Sequence, residues 1–159
     1  MHNSIKHPDD HQFERYGLID NIHEMVEVIS QELKKPVTIE AKNFDLIAYS
    51  ANHQEVDSAR QKTILEKKVP SFVVDRLNRA GIIRKLESTN HPIRIPPLEE
   101  VGLTQRIAMS IGYQKQVIGY IWIQEDFPPL TEKEFQFLEN ISGHIARILL
   151  EISSTKKAQ

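Results

Sequence analysis

Three arginines are the residues best suited to hold a small molecule. Arg60 falls on a stretch with helical spacing, Arg94 stands between Ile93 and Ile95, and Arg106 opens the apolar run Ile107-Ala108-Met109. A guanidinium presents a planar fork of donors that matches a carboxylate or a phosphate. A cavity lined by one of them would select an anionic metabolite such as an amino acid. The plainer role for each is a surface ion pair, which contributes little. Tyr49, Tyr120 and Trp122 could form the walls of such a cavity, since aromatics give apolar surface with a polar tip. Tyr120 and Trp122 alternate along one run and so share a face. Their plainer role is core packing. Gly119 either admits a close neighbour or marks a bulge.

Other chemistry finds little support. His7 and His11 stand four apart, as two ligands on a helix would, but they come without an acidic partner motif and lie at an end expected to be mobile. His53, His91 and His144 are isolated. The chain has no Cys, which excludes disulfides, thiolate metal sites and a cysteine nucleophile. With 6 Gly there is no glycine-rich phosphate loop, and neither His-Glu-x-x-His nor Gly-x-Ser-x-Gly occurs. No catalytic residue, metal or cofactor is expected, and an enzyme, whose site would have to be assembled from distant residues, is the third-ranked class. A net charge of −2 over 159 residues gives no field that would draw the chain to nucleic acid or an anionic membrane. No apolar run approaches the ~20 residues of a membrane span, and the start lacks a signal-peptide core, so a cytoplasmic protein is expected.

The elements that must position these residues can be read in turn. Residues 11–35 contain no Pro and predict one long helix, led by Pro8-Asp9-Asp10 and stopped by Pro36. Residues 36–41 and 44–50 predict a hairpin about the turn Lys42-Asn43. Helices are predicted over 56–68 and from Pro70 to near Gly81, with 82–86 either helical or irregular. The proline-flanked run 91–97 suits an edge strand. Strands are predicted over 106–111 and 116–124, joined by a turn at 113–115. In the second, Val117, Gly119, Ile121 and Ile123 should face one way and Ile118, Tyr120, Trp122 and Gln124 the other. Both faces are apolar, which predicts a central strand covered on both sides. Thr131 and Glu134 have the spacing of a capping box at the head of a last long helix.

The plan is therefore α+β: a central antiparallel sheet of about five to six strands, terminal helices on one face and a helical insertion over the other. The whole of 1–159 reads as a single domain, with 1–10 and 153–159 flexible. On the first helix Leu18, Ile22, Met25 and Ile29 recur at spacings of four and three. On the last, Ile141, Ile145, Ile148 and Ile152 do the same. Such heptad-like seams predict a homodimer through the terminal helices. The alternative is that both stripes simply pack on the sheet.

The hairpin Val37-Thr38-Ile39-Glu40 with Asn43-Phe44-Asp45-Leu46-Ile47-Ala48-Tyr49-Ser50 resembles the opening of the GAF-like sensor domain in PucR-type (PucR/CdaR-like) bacterial transcription regulators. So do Arg60-Gln61-Lys62-Thr63-Ile64-Leu65, His91-Pro92-Ile93-Arg94-Ile95-Pro96-Pro97, Val117-Ile118-Gly119-Tyr120-Ile121-Trp122-Ile123 and Pro129-Leu130-Thr131-Glu132-Lys133-Glu134. The resemblance covers residues 15–152. It implies a GAF fold with a cavity under the inserted helices, a small-molecule effector, and transcription control through DNA bound by a helix-turn-helix domain that is not visible in these residues. A purely structural dimerisation module without ligand is the alternative.

Overall fold

In the computed structural model the described residues are 16–51, 53 and 55–157. The histidines His7 and His11 and the predicted helix start at Pro8 lie outside them. Residues 16 and 17 are helical, and the chain then leaves the helix over residues 18–21. It re-enters as α1 (Ile22–Leu33), where the Asn21 side chain accepts from the backbone N–H groups of His23 and Glu24. The single long first helix predicted over 11–35 is therefore interrupted: a capping residue stands where the heptad-like spacing would have run straight through. Lys34, in the left-handed region at φ 57°, closes α1.

The hairpin follows as β1 (Val37–Ala41) and β2 (Leu46–Tyr49). Three helices form the insertion: α2 (Ser58–Glu66), α3 (Ser71–Arg79) and α4 (Ile82–Glu87), the last settling residues 82–86 as helix. Gly81 divides α3 from α4 at φ 74°. Then come the short β3 (Ile93–Ile95), a single 3-10 turn at Glu99–Val101, and the long pair β4 (Arg106–Tyr113) and β5 (Gln116–Gln124). Gln114 and Lys115 both take positive φ in the tight turn between β4 and β5. The capping box at α5 (Glu132–Lys157) forms as the sequence predicts: Glu134 N–H donates to Thr131 Oγ1 at 3.3 Å, and Thr131 N–H to Glu134 Oε1 at 3.0 Å. The helix runs on through Lys157, past the predicted flexible start at 153, because no Gly or Pro interrupts residues 144–157.

The sheet has five strands in the order β2-β1-β5-β4-β3, all neighbours antiparallel. β5 is central, and β3 is the edge that its prolines require. α1 and α5 cover one face with Met25, Ile29, Ile141, Ile145 and Ile148 against Ile39, Ile107 and Ile121. The insertion covers the other face with Val73, Leu77 and Leu86 against Ala108, Tyr120 and Trp122.

The predicted alternation along β5 fails at its start. Ile111 pairs with Gly119 but Gly112 with Val117, so Ile118 is an extra residue. This bulge turns Val117 to the insertion side and Ile118 to the terminal-helix side, the reverse of strict alternation. Beside the bulge, a Cβ on Gly119 would meet the Glu40 carbonyl oxygen at 2.7 Å. Gly119→Ala is therefore expected to cost about 1–3 kcal/mol, read as a lower urea midpoint. Wild-type stability in that variant would show that β1 can yield.

Candidate functional site

β1 carries two polar side chains toward the insertion. Thr38 lies opposite Trp122 across the β1–β5 ladder, and Glu40 lies opposite Tyr120. Arg106 opens β4 opposite Gln124. Above them α2 begins at Asp57, whose side chain accepts from the Arg60 N–H at 2.9 Å. Helix capping thus places Arg60 one turn into α2, directly over β1. The residues enclose a cavity lined by Thr38, Glu40, Arg60, Arg106, Trp122 and Gln124, with Ala59, Val69, Val73, Leu77 and Leu103 as its apolar wall. It holds about 450 Å³ of empty space, its mouth included, and its closed part has room for about two to three waters.

The charges in this cavity are unevenly satisfied. Arg106 grips Asp57 with two bonds, Nη1 to Oδ2 at 2.6 Å and Nη2 to Oδ1 at 2.9 Å. Thr104 adds its N–H and hydroxyl to Asp57 Oδ2. Burial pushes the Asp57 carboxyl up, but the Arg106 fork and the N–H groups of Arg60 and Thr104 outweigh it and hold it below its usual value. Arg60 spends its Nη atoms on the hairpin, donating to Val37 O at 3.2 Å and Ser50 O at 2.6 Å. Burial, with Arg106 nearby, pushes its pKa down to about 10. Glu40 accepts from the Thr38 hydroxyl at 3.0 Å through Oε1. Burial pushes its carboxyl up to about 8, against the pull of the Thr38 bond and the charges of Arg106 and Arg60.

Among the described residues, three buried side-chain atoms lack a hydrogen-bond partner: Glu40 Oε2, Arg60 Nε and Trp122 Nε1. All three residues line this one cavity. A buried, unpaired polar atom costs roughly 1–3 kcal/mol, so their gathering at one place marks a site that a guest could complete.

Arg60, Arg106 and Trp122 are brought together here as ligand candidates. The other three are not. Arg94 pairs with Ile107, next to Arg106 in the ladder, but turns to the terminal-helix face, forked onto buried Glu125 at 2.7 and 2.9 Å and standing over the Phe135 ring. Tyr49 is 42% exposed at the end of β2. Tyr120 is core: it stacks on Phe44 and donates its hydroxyl to Glu87 at 3.3 Å. Sequence reasoning missed Thr38, Glu40, Asp57 and Gln124. The alternation Thr38-Ile39-Glu40 was the available signal, placing a carboxylate on the face that the insertion must cover.

The heptad-like seam is placed differently from its prediction as a dimer interface. Ile22, Met25, Ile29, Ile141, Ile145 and Ile148 are all buried in the chain's own core, since the two helices lie on the sheet and on each other. Ile152 is partly buried against that core. Leu18, ahead of the helix break, is 86% exposed.

No family model matches the chain. The GAF domain of an Acinetobacter phosphoenolpyruvate-protein phosphotransferase superposes with a TM-score of 0.59 over 97% of both chains at 9% identity, which establishes a GAF fold. In sequence the chain is 37% identical over 145 residues to the proline-responsive transcriptional activator PutR of Bacillus subtilis, covering 91% of this chain and 35% of PutR. It is 36% identical over 137 residues to the DNA-binding transcriptional activator AdeR of the same organism, covering 86% of this chain and 32% of AdeR. The chain thus matches a GAF-like domain of PucR-type regulators in fold and in the relatives it resembles, and it spans about a third of the length of these relatives. No helix among the described residues is long and apolar enough to cross a membrane, and no group of His, Asp and Glu among them could hold a metal ion.

Proposed function

We propose that this chain is the effector-sensing and dimerising part of a bacterial transcription activator, that its effector is a small amino acid, and that it is not an enzyme. The cavity carries this reading: Glu40, Arg60 and Arg106 are buried beneath a helical insertion, and the three residues with an unpaired buried atom, Glu40, Arg60 and Trp122, all line it. A purely structural module would have no reason to retain that polar lining. That PutR is proline-responsive agrees with a guest that has both a carboxylate and an amine, and DNA binding would fall to a part of the regulator outside this chain. A guest there would touch β1 and β5 on the sheet side and α2 and α3 on the insertion side. Binding would therefore favour one arrangement of the insertion over another, which is the requirement for coupling to a distant output.

A thermal-shift panel of L-proline, L-valine, other small amino acids, purine bases and simple organic acids tests this. At least one amino acid should raise the midpoint in a concentration-dependent way. A panel without any shift would leave only the structural role.

Dimerisation, with the seam buried, falls to what remains outside: Leu18 and the outer side of α5 near Ile152. Sedimentation should show a dimer that Leu18→Glu shifts toward monomer. A wild-type monomer at tens of micromolar would end that part of the reading.

A further inference from the structure

The three unpaired atoms differ in kind, and the difference specifies a guest. Arg60 Nε and Trp122 Nε1 can only donate, whereas Glu40 Oε2, once ionised, can only accept. Arg106 adds no free donor fork, because Asp57 and Thr104 occupy its Nη1 and Nη2. Of the charges that line the space, Arg106 is cancelled by its fork partner Asp57 beside it, and Arg60 balances an ionised Glu40. A neutral site with a donor pole and an acceptor pole matches a zwitterion.

Resting on the reading of this cavity as the effector site, we propose that it binds a small apolar α-amino acid with its carboxylate on Arg60 Nε and Trp122 Nε1 and its ammonium on Glu40, and that binding releases a proton from Glu40. The apolar part of the guest would lie against Val73, Leu77 and Leu103. One clamp comes from the insertion through Arg60 and one from the sheet through Glu40 and Trp122, so the guest ties α2 to β1 and β5.

Proton release follows from the surroundings of Glu40. The groups facing it are Arg60 from α2, Arg106 from β4, Thr38 from its own strand, and Tyr120 and Trp122 from β5. α3 contributes only Val73 and Leu77 to the cavity. With the site empty, this carboxyl is mostly protonated below about 8. An ammonium requires the ionised form, so the proton leaves on binding. Affinity should then rise with pH, by up to about tenfold per unit, and level off near 8.

Calorimetry on the domain decides the matter with matched probes. L-proline is compared with pyrrolidine and cyclopentanecarboxylate, and L-valine with isobutylamine and 3-methylbutanoate. At least one amino acid should bind at least 50-fold more tightly than both of its single-charge analogues. At pH 7 its apparent heat should vary with buffer ionisation enthalpy as release of a proton requires. Glu40→Gln should weaken it at least 20-fold and abolish the pH dependence, while Arg94→Ala, outside the cavity, should leave it unchanged. A carboxylate analogue that binds as tightly as its amino acid would overturn the zwitterion assignment and leave the cavity an effector site. An amino acid that binds without buffer dependence would overturn the proton release from Glu40 and leave the zwitterion assignment to the analogue comparison. If no probe of any class binds, both the assignment and the effector-site reading fail.

Discussion

Replacing Arg106 with Ala is expected to lower the unfolding free energy by about 3–5 kcal/mol. The reason is the fate of Asp57. The two side chains are each about 6% exposed and joined by the two-bond fork. Without Arg106 the carboxylate keeps only the N–H groups of Arg60 and Thr104 and the Thr104 hydroxyl, and its negative charge stays buried without a counterion. Asp57→Asn should cost less, since an amide still caps α2 and leaves no stranded negative charge, although Arg106 then loses its partner. Arg106→Lys should fall between, keeping the charge but losing the fork. The pH dependence has a definite sign. The folded-state carboxyl of Asp57 lies below its ordinary value of 3.8. Its contribution is therefore fully present above that value and is lost as pH falls through the folded-state value. Urea denaturation of the wild type and the three variants at pH 7, and of the wild type toward pH 3, supplies the measurement. An Arg106→Ala variant within 1 kcal/mol of wild type would show that the buried fork contributes little net stability.

Arg94→Ala offers the contrast. Its partner Glu125 is also buried, but retains the Gln105 amide at 2.5 Å and the Leu130 N–H at 2.8 Å, while Arg94 itself is 44% exposed. The expected loss is about 1–2 kcal/mol.

The fold was legible because its elements are punctuated. Pro36, Lys42-Asn43, Gly81 and the Thr131–Glu134 box each sit where an element starts or stops, and each works through local backbone chemistry that needs no partner. What escaped was set by contacts between elements. The seam that looked intermolecular is taken up by the chain's own sheet. Spacing alone cannot say which of two apolar surfaces a helix meets. The Ile118 bulge depends on the register of β4 against β5. In the site, Arg60, Arg106 and Trp122 were visible as unusual residues on otherwise apolar or helical stretches. Arg94 looked the same in sequence, yet it faces Glu125, because it alternates with Ile93 and Ile95, which pack under the insertion, and so turns to the other face of the sheet. Glu40 was hidden for the opposite reason. A glutamate in a short strand reads as solvent-facing until the sheet order shows β1 flanked on both edges and roofed by α2.

That placement makes Glu40→Gln an unusual substitution, because removing the charge should stabilise the empty domain at neutral to alkaline pH. The carboxyl ionises near 4.5 in the unfolded chain and near 8 in the folded one. Between these values the folded state binds more protons than the unfolded state, so stability falls as pH rises across the window and stays low above it. A few kcal/mol are at stake, since each unit of difference is worth about 1.4 kcal/mol. Gln keeps the shape and can still accept from the Thr38 hydroxyl, but does not ionise, so its stability curve should lack this fall. The two proteins should be similar near pH 5 and diverge toward pH 9, with the variant unfolding at the higher urea concentration. Parallel curves from pH 5 to 9 would mean that Glu40 is already ionised in the empty fold and that Arg60 and Arg106 outweigh its burial. The expected divergence explains how a site can be unstable when empty and tight when filled. The energy lost by sealing an acid under α2 is recovered when a cation enters, so the occupied and empty states of the insertion differ by more than the contacts of the guest alone.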